Sequence, residues 1–194
     1  MMKFKCEKCA CCCNDPSTIV TVTHHDIRRI TKFLNIMPQQ ALRFLAFYCF
    51  EDDASAIRFV ASPPIHTIKG DSFLGLLKEE DGKCIFLKDS NKCLIYPARP
   101  MTCRAFPFTF DIKDGWLCWG VAKKAKYCKG LNKGKTVERN KLDRIGSTII
   151  GERADFTKII SIWNNLAKAR GIRATPELLI EFISKTTAVQ YARR

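Results

Sequence analysis

The sequence lacks any apolar run long enough to cross a bilayer. Its most apolar stretch, residues 42–50, carries Arg43 and is much shorter than the about 18 residues that indicate a membrane helix. The N-terminus enters a cysteine-rich segment at once, without the apolar region of a signal peptide. We therefore expect no membrane partner, and a cytoplasmic protein in a reducing compartment.

Acidic residues are also scarce. The chain of 194 residues has 19 Asp and Glu against 33 Lys and Arg, a formal net charge of +14. Each site of four thiolates around zinc or a cubane cluster would bring about −2, so two such sites would leave roughly +10. A charge of this size predicts an acidic partner such as nucleic acid, a ribosome or an anionic surface.

The usual catalytic residue sets are missing. There is no Ser/His/Asp set, no Cys/His dyad with a local signature and no paired carboxylate motif. His24 and His25 open a predicted helix, where we expect a solvated first turn rather than metal ligands. The stretch 130–136 is not a P-loop, because three residues rather than four separate its glycines and no buried strand precedes it. Whether the protein is an enzyme is left open, since only a metal centre would supply chemistry.

Cysteine, by contrast, is abundant. Five of the 11 cysteines fall within residues 6–13, and none follows Cys128. A Cys-x-x-Cys turn lets two thiolates reach one metal, as in zinc and iron–sulfur sites. Cys12 and Cys13 are adjacent, so we expect them to bind different atoms of a cluster, or two ions. The clustering, the odd count and the reducing compartment favour metal over disulfides.

Local patterns predict both helices and strands. Residues 18–22 are β-branched and predict a strand, and Thr23 with Asp26 forms a capping-box variant before a helix over 24–34. A second helix is expected from Pro38 to about Phe50, with Cys49 buried in its apolar stripe. A short strand is expected over 56–60 and a weak element over 73–77.

The second half predicts two hairpins followed by helices. The first hairpin brings Cys84 near Cys93; the second covers 110–119 and makes Cys118 a core thiol. A short helix should begin after Arg99-Pro100. Helices follow from residue 136, one ending at Gly171 and another beginning at 175–177 with Thr-Pro-Glu. The fold class is therefore α+β: a Cys-rich, metal-stapled core of small antiparallel β-hairpins and flanking helices over 1–135, with an α-helical C-terminal extension over 136–194 packed on it.

Short segments around the cysteines form an ordered series along the first two thirds of the chain. They are Cys6, Cys9, Cys12 and Cys13; the step Thr23–Ile27; Gly82-x-Cys84-x-Phe86-Leu87; Cys93-x-Ile95-Tyr96; Arg99-Pro100; Cys103-Arg104; Phe106-Pro107-Phe108; and Cys128-x-Gly130 with Gly134. In these segments the chain resembles the YkgJ-like cysteine-cluster family, the CxxCxxCC zinc- or iron-chelating domain, over about residues 4–135. Ala10, where many members have Gly, and the extra Cys11 depart from the family pattern.

The resemblance implies a metal ligand set of eight cysteines. Their separations fit no zinc ribbon, which favours a [4Fe-4S] cluster over zinc while one site or two remains open. Candidate additional ligands are Cys11 and Cys118. The predicted ligands are Cys6, Cys9, Cys12, Cys13, Cys84, Cys93, Cys103 and Cys128.

Arg99 and Arg104 flank Cys103 in the sequence. They would either donate hydrogen bonds to thiolates or an anionic group, or pair with carboxylate or carbonyl groups as structural residues. Tyr96 is expected in the core.

Two further functions stay open. A related Cys-rich domain occurs in flagellin lysine-N-methylases, so the resemblance implies an iron–sulfur, S-adenosylmethionine-dependent enzyme as an alternative. The other alternative is an RNA- or ribosome-associated module, because phosphates would suit a run of basic residues with few acids nearby. This basic patch comprises Lys123, Lys124, Lys126, Lys129, Lys133 and Lys135, continued by Arg139, Lys141 and Arg144.

Overall fold

The computed structural model describes residues 2–49, 63–171 and 174–192. The helices are α1 (Cys11–Asn14), α2 (His24–Leu34), α3 (Met101–Ala105), α4 (Arg139–Arg170) and α5 (Pro176–Ala192), with short 3-10 turns at Pro38–Arg43, Tyr96–Ala98 and Lys123–Tyr127. The strands are β1 (Lys3–Phe4), β2 (Leu45–Cys49), β3 (Ile65–Thr67), β4 (Gly70–Leu76), β5 (Phe108–Lys113), β6 (Trp116–Val121) and β7 (Leu131–Thr136). Helices beside small sheets confirm the α+β class.

The strands form three small antiparallel sheets. β1 pairs with β7, β5 pairs with β6, and β4 lies between β2 and β3 in a three-stranded sheet. The first pairing joins the N-terminus to a strand more than a hundred residues later. The N-terminal cysteines are therefore held near the end of the cysteine-rich region.

Helix α2 begins as predicted. Thr23 accepts from the Asp26 amide at 3.4 Å, and the Asp26 carboxylate accepts from the Thr23 amide at 2.9 Å. This reciprocal capping box satisfies two backbone donors that the helix leaves free. Ile27 and Ile30 are buried, and Asn35 ends the helix in the left-handed conformation, at a φ of 52°.

Two predicted elements are wrong. Residues 18–22 form no regular strand: Thr21 makes a single bridge to Gly75. The segment expected as a helix from Pro38 to Phe50 is a 3-10 turn followed by strand β2, because Leu45–Cys49 pairs along its whole length with β4. This non-local pairing outweighs the helical spacing of the apolar residues, and Cys49 is exposed rather than buried.

Two further predicted elements are present but differ in extent from the prediction. The weak element expected over 73–77 is the central strand β4, Gly70–Leu76. The hairpin around Cys84 and Cys93 is reduced to isolated bridges, from Cys84 to Lys78 and from Leu87 to Cys93. The strand expected over 56–60 lies outside the described residues.

The second hairpin is confirmed and is longer than predicted. β5 and β6 pair from Phe108↔Val121 to Lys113↔Trp116. Asp114 and Gly115 connect them with φ values of 51° and 79°, the two left-handed positions of a type I′ turn. Cys118 lies on β6 opposite Asp111 and is half-buried.

The C-terminal helices also follow the prediction. α4 ends at Arg170 and is followed by the capping residue Gly171, whose φ of 58° suits glycine at a helix end. Thr175 caps α5, because its hydroxyl accepts from the Leu178 amide at 3.4 Å.

These helices share a hydrophobic core with the cysteine-rich part. One cluster joins α2 and the three-stranded sheet to α4 and α5, and a second packs β5 and β6 against the start of α4. Arg29 of α2 also donates to the Glu152 carboxylate of α4 at 2.5 and 2.8 Å. Within the described ranges, no helix has the length and apolarity needed to span a membrane.

Candidate metal centre

The N-terminal loop turns sharply before its last three cysteines. Lys8 and Ala10 have φ values of 51° and 57°, in the left-handed region. The amides of Cys13 and Asn14 both donate to the Ala10 carbonyl, at 2.8 and 2.9 Å, and close the single turn α1. This turn places the Cys12 and Cys13 sulfurs 3.9 Å apart.

The central loops bring two more thiols to this turn. The Cys84 amide donates to the Cys13 carbonyl at 2.9 Å, so the two backbones are in direct contact. Cys84 is buried in the main hydrophobic cluster, and Cys13, Cys93 and Cys103 pack against that cluster. The thiols therefore lie at the edge of the core, with apolar side chains behind them.

Helix α3 carries Cys103, another thiol at the edge of this core. Its first amide, on Met101, donates to the Asp26 carboxylate at 2.9 Å, and Thr102 donates to the Thr21 carbonyl at 3.2 Å. These bonds hold α3 against the N-terminal end of α2 and fix the direction of Cys103. Burial raises the pKa of the Cys103 thiol well above its ordinary value, and negative charge at Cys84 and Cys12 raises it further.

Five thiols thus influence one another's titration, and we call them the central thiol group: Cys12, Cys13, Cys84, Cys93 and Cys103. The hydrogen bond from the Cys13 thiol lowers the pKa of Cys12 to about 7, while the same bond and burial raise the pKa of Cys13. Burial raises the pKa of Cys84 and Cys93. Several thiolates are therefore costly here without a cation beside them.

Three other thiols form the outer thiol group: Cys9, Cys11 and Cys128. Burial opposes ionisation of Cys9, but hydrogen bonds with Cys11 lower its pKa, and the same thiol contact raises the pKa of Cys11. Burial raises the pKa of Cys128, and negative charge at Cys9 and Cys12 adds to this effect. The Lys5 amide donates to the Gly130 carbonyl at 3.1 Å and ties the segments together. Exposed Cys6 is in neither group as defined.

The two arginines beside Cys103 have different surroundings. The Arg99 guanidinium lies 3.9 Å from the centre of the Tyr96 ring. Its charge adds to the Cys13 hydrogen bond in lowering the pKa of Cys12, and it partly offsets the rise in the pKa of Cys93 that burial causes. Among the described residues, the buried Nε of Arg99 has no hydrogen-bond partner. Arg104 instead donates to the carbonyls of Arg99, at 3.0 Å, and Pro97. Tyr96 is half-buried between Arg99 and Lys8 rather than in the core.

A cleft of about 580 Å³ opens beside both thiol groups. Its walls include three thiols, two aromatic rings and the Lys123 side chain. A small molecule in the cleft would therefore lie against the cysteines. The lining residues are Cys11, Cys12, Asp15, Ser17, Thr18, Phe106, Lys123, Tyr127 and Cys128.

The donor chemistry fits a thiophilic metal. Cysteine thiolates are the ligands of structural zinc and of iron–sulfur clusters. Across the described ranges, no three His, Cys, Asp or Glu side chains meet closely enough to hold an ion as they stand. Binding therefore needs side-chain rotation or loop movement that brings the thiols together.

The prediction of a solvated first turn in α2 needs correction. His24 is 3% exposed and stacks on Phe156, with ring centres 6.1 Å apart, so it does not form a solvated first turn. His25 Nε2 lies 3.5 Å from Asp155. The apolar face of α4 covers this end of α2, which no local pattern in residues 23–27 indicates.

Asp26 has a second role that its neighbours in the sequence do not indicate. Its part in the capping box is coded locally, but the same 2% exposed carboxylate also fixes the start of α3. Asp26 becomes buried because α3 packs on α2, and the contacting residue Met101 lies 75 residues later in the chain.

The basic patch lies on β7 and the segments around it. Its members whose side chains are described, including Lys123, Lys129, Lys133 and Lys135, are exposed. Lys133 lies 3.7 Å from Glu7.

Comparison with known proteins identifies the family. Residues 5–129 match the CxxCxxCC family, described as "Putative zinc- or iron-chelating domain". This match covers more than half of the chain, which therefore belongs to that family. The chain is also 32% identical over 138 residues to "Uncharacterized protein MJ0661" of Methanocaldococcus jannaschii, an alignment that covers 68% of this chain and 59% of the relative. No solved structure matches.

Proposed function

We propose that the chain binds a [4Fe-4S] cluster through the central thiol group. The observation that carries this proposal is that three separate segments bring five thiols to one region of the fold. Four of them pack in or against one core, and the sulfur of the fifth, Cys12, lies 3.9 Å from that of Cys13. A structural zinc ion and a cubane cluster each take four thiolates, so the number of thiols does not decide between them. The separations of these cysteines along the chain fit no zinc ribbon, which favours the cluster. When bound, the cluster would supply positive charge for the thiolates and, if redox-active, one-electron chemistry.

The chain's own residues would hold this centre in place. Arg99 offers a buried Nε that has no partner in the described part of the chain, and a charge that favours the thiolates of Cys12 and Cys93. Asp26 fixes the helix that carries Cys103. The role is at least structural, because the centre joins the N-terminal loop to the central loops. We propose Cys6, Cys9 and Cys128 as further ligands, with Cys11 and Cys118 as candidate additional ones.

Zinc is the second candidate metal, and one distance favours it. In a tetrahedron of sulfurs about 2.3 Å from zinc, two sulfurs are separated by about 3.8 Å. The Cys12 and Cys13 sulfurs are 3.9 Å apart, which is compatible with both binding one ion.

Metal analysis after anaerobic purification tests this proposal. The cluster predicts brown protein with a visible absorption band and with iron and acid-labile sulfide in equal amounts. Protein that contains zinc but no iron or sulfide would rule out the cluster and support zinc as the bound metal. A colourless, metal-free protein that is well folded would contradict both.

The cleft favours one catalytic candidate. A volume of about 580 Å³ beside Cys11, Cys12 and Cys128 would let a small molecule approach the centre. We propose, as the enzyme alternative, a methyltransferase that uses S-adenosylmethionine on protein lysines. Calorimetric titration of the metal-loaded protein with this cofactor should release heat; absence of heat would count against the alternative.

The basic patch supports a separate role in binding nucleic acid or ribosomes. Its described side chains are exposed, and phosphate contacts made by lysines weaken as salt rises. Co-sedimentation with ribosomes at low salt, lost at high salt, would support this role, and no co-sedimentation at either would reject it.

We also propose that residues 1–135 form the metal-binding domain and that 136–194 extend it. The hydrophobic cluster that α4 and α5 share with the three-stranded sheet supports a packed extension. A cytoplasmic location is proposed because a reducing compartment keeps the thiols available for metal.

A further inference from the structure

The cysteines near the proposed centre outnumber the ligands that one centre uses. The central thiol group contains five, the outer thiol group contains three, and Cys6 lies beside them, which makes nine. A structural zinc ion takes four thiolates, and so does a cubane cluster. A centre in the central thiol group therefore leaves Cys6 and the outer thiol group without a ligand role. These four remaining thiols equal the ligand number of a second site.

The single turn α1 sends its cysteines in different directions. Successive residues of an α-helix are about 100° apart around its axis, so the side chains of Cys11 and Cys13 diverge by about 160°. Cys13 packs against the main hydrophobic cluster, and its carbonyl accepts from the Cys84 amide at 2.9 Å. Cys11 instead lines the cleft together with Cys128. Cys11 and Cys13 therefore face separate sites.

Backbone contact holds Cys6 against the segment that carries Cys128. The Lys5 amide donates to the Gly130 carbonyl at 3.1 Å. A Cβ on Gly130 would overlap the Lys5 carbonyl oxygen, so this close approach requires glycine. The residue before Cys6 is thus fixed beside a residue only two positions after Cys128.

The contacts continue along the N-terminal loop. Glu7, the residue after Cys6, lies 3.7 Å from Lys133 of β7. The Cys9 thiol is hydrogen-bonded to that of Cys11. Cys6 and Cys9 also form a Cys-x-x-Cys pair, whose spacing lets both thiolates reach one ion. The loop over 5–11 therefore lies along the segment that follows Cys128, apart from the central thiol group.

We propose that a second metal site, which binds one zinc ion, is formed by Cys6, Cys9, Cys11 and Cys128. Four thiolates are a ligand set of structural zinc, and zinc has no redox chemistry, which suits a site that faces solvent. As in the central thiol group, rotation of the side chains brings the sulfurs onto the ion. The inference deepens the proposed metal binding by adding a site and giving Cys11 a role in it. It does not depend on which metal the central thiol group holds.

The two sites differ in their access to solvent. Cys6 is exposed, and Cys11 and Cys128 line the open cleft. Cys84, by contrast, is buried in the main hydrophobic cluster, and Cys103 packs against it. A chelator added to the protein should therefore remove the zinc ion of the second site before it removes the central metal.

Native mass spectrometry of full-length protein tests the second site. The protein is purified anaerobically, equilibrated with excess zinc and desalted. Wild type should carry the central centre and one zinc ion. Cys11→Ser/Cys128→Ser should lose this zinc ion and keep the central centre, because only Cys6 and Cys9 remain as ligands. Cys103→Ser should show the reverse: loss of the central centre and retention of the zinc ion.

Single substitutions provide a milder test with a matched control. Cys11→Ser removes one ligand and should release the zinc ion to a lower concentration of chelator than wild type does. Cys49→Ser removes an exposed thiol that belongs to neither site and should keep both metals with unchanged resistance to the chelator. Circular dichroism verifies that each variant retains the helical content of wild type.

The outcomes separate this inference from the proposed central centre. Full retention of zinc in Cys11→Ser/Cys128→Ser, or wild type with the central centre and no added zinc, would overturn the second site. Loss of all metal from both this variant and Cys103→Ser would mean one shared centre and would also overturn it. Protein that binds only the zinc ion, and loses it in Cys11→Ser/Cys128→Ser alone, would support the second site and contradict the central one.

Discussion

Ala10 shows how a single residue shapes the N-terminal loop. Its φ of 57° lies in the region that favours glycine, and its carbonyl accepts the two amides that close α1. An L-residue pays a steric cost there because its Cβ approaches the following carbonyl. The loop keeps this conformation because the hydrogen bonds of α1 depend on it.

The substitution Ala10→Gly should therefore stabilise the protein. We expect a gain of about 0.5–1 kcal/mol in the free energy of unfolding, since relief of the left-handed strain exceeds the extra freedom of the unfolded chain. Urea unfolding measures it. The control Ala154→Gly, at an exposed position within α4, should lose about 1 kcal/mol. A loss at both positions would contradict the account of the loop.

His24 predicts a dependence of stability on pH. Burial lowers its pKa to about 4, helped by the nearby charges of His25 and Arg29 and opposed by Asp155. The unfolded chain binds the proton near pH 6.5, so stability is complete above that pH and falls as pH drops toward 4. Allowing for partial solvent screening, the loss is about 2 kcal/mol.

Urea unfolding from pH 7 down to pH 4 tests this loss. The variant His24→Phe cannot be protonated and keeps a ring against Phe156, so it should lack this component of the acid sensitivity. Superimposable pH profiles for wild type and His24→Phe would show that the pKa of His24 is not lowered in the folded protein.

At the scale of the elements, α2 and α3 act as one unit around Asp26. The carboxylate accepts from the Thr23 amide, the Met101 amide and Arg29, so it caps the N-terminus of α2 and also fixes the start of α3. Because α3 carries Cys103, the capping box of α2 controls the position of a proposed ligand.

Asp26→Asn should weaken both the fold and metal binding. An amide nitrogen cannot accept hydrogen bonds, so buried donors lose their partner and Arg29 loses a counter-charge; we expect a loss of about 3 kcal/mol. Denaturant unfolding and the amount of bound metal are the measurements. Asp155→Asn, at a half-exposed carboxylate, should cost less than about 1 kcal/mol. Equal effects of the two substitutions would argue against the special role of Asp26.

At the scale of the whole molecule, locally coded features were the predictable ones. The capping box of α2, the β5–β6 hairpin and the Gly171 helix end each depend on a few neighbouring residues, and all were found from the sequence. Strand β2 was not predicted, because its conformation depends on pairing with β4, more than twenty residues later in the chain.

The candidate site divides in the same way. The resemblance supplied the cysteines, but their grouping depends on long-range contacts such as the bond from the Cys84 amide to the Cys13 carbonyl. The burial of His24 and the exposure of Cys49 likewise follow from distant elements. Spacing along the chain therefore identifies donors, and packing decides which of them meet.

Metal removal should loosen the site more than the helical region. Without a cation the thiolates repel one another, so the loops over 5–14 and 84–103 lose order, while Ile159 and Ile160 stay buried in the main cluster. Hydrogen exchange should then speed up at the Cys84 and Cys13 amides and stay slow in the middle of α4. Unchanged exchange in both loops after chelation would show that metal does not order them.

The central claim is that the central thiol group holds a metal centre, and native mass spectrometry of anaerobically purified protein tests it directly. We predict bound metal in the wild type, its loss in Cys103→Ser, and its retention in Cys49→Ser, where an exposed thiol outside the group is removed. Folded wild-type protein without metal, or Cys103→Ser protein that retains the full amount, would contradict the claim.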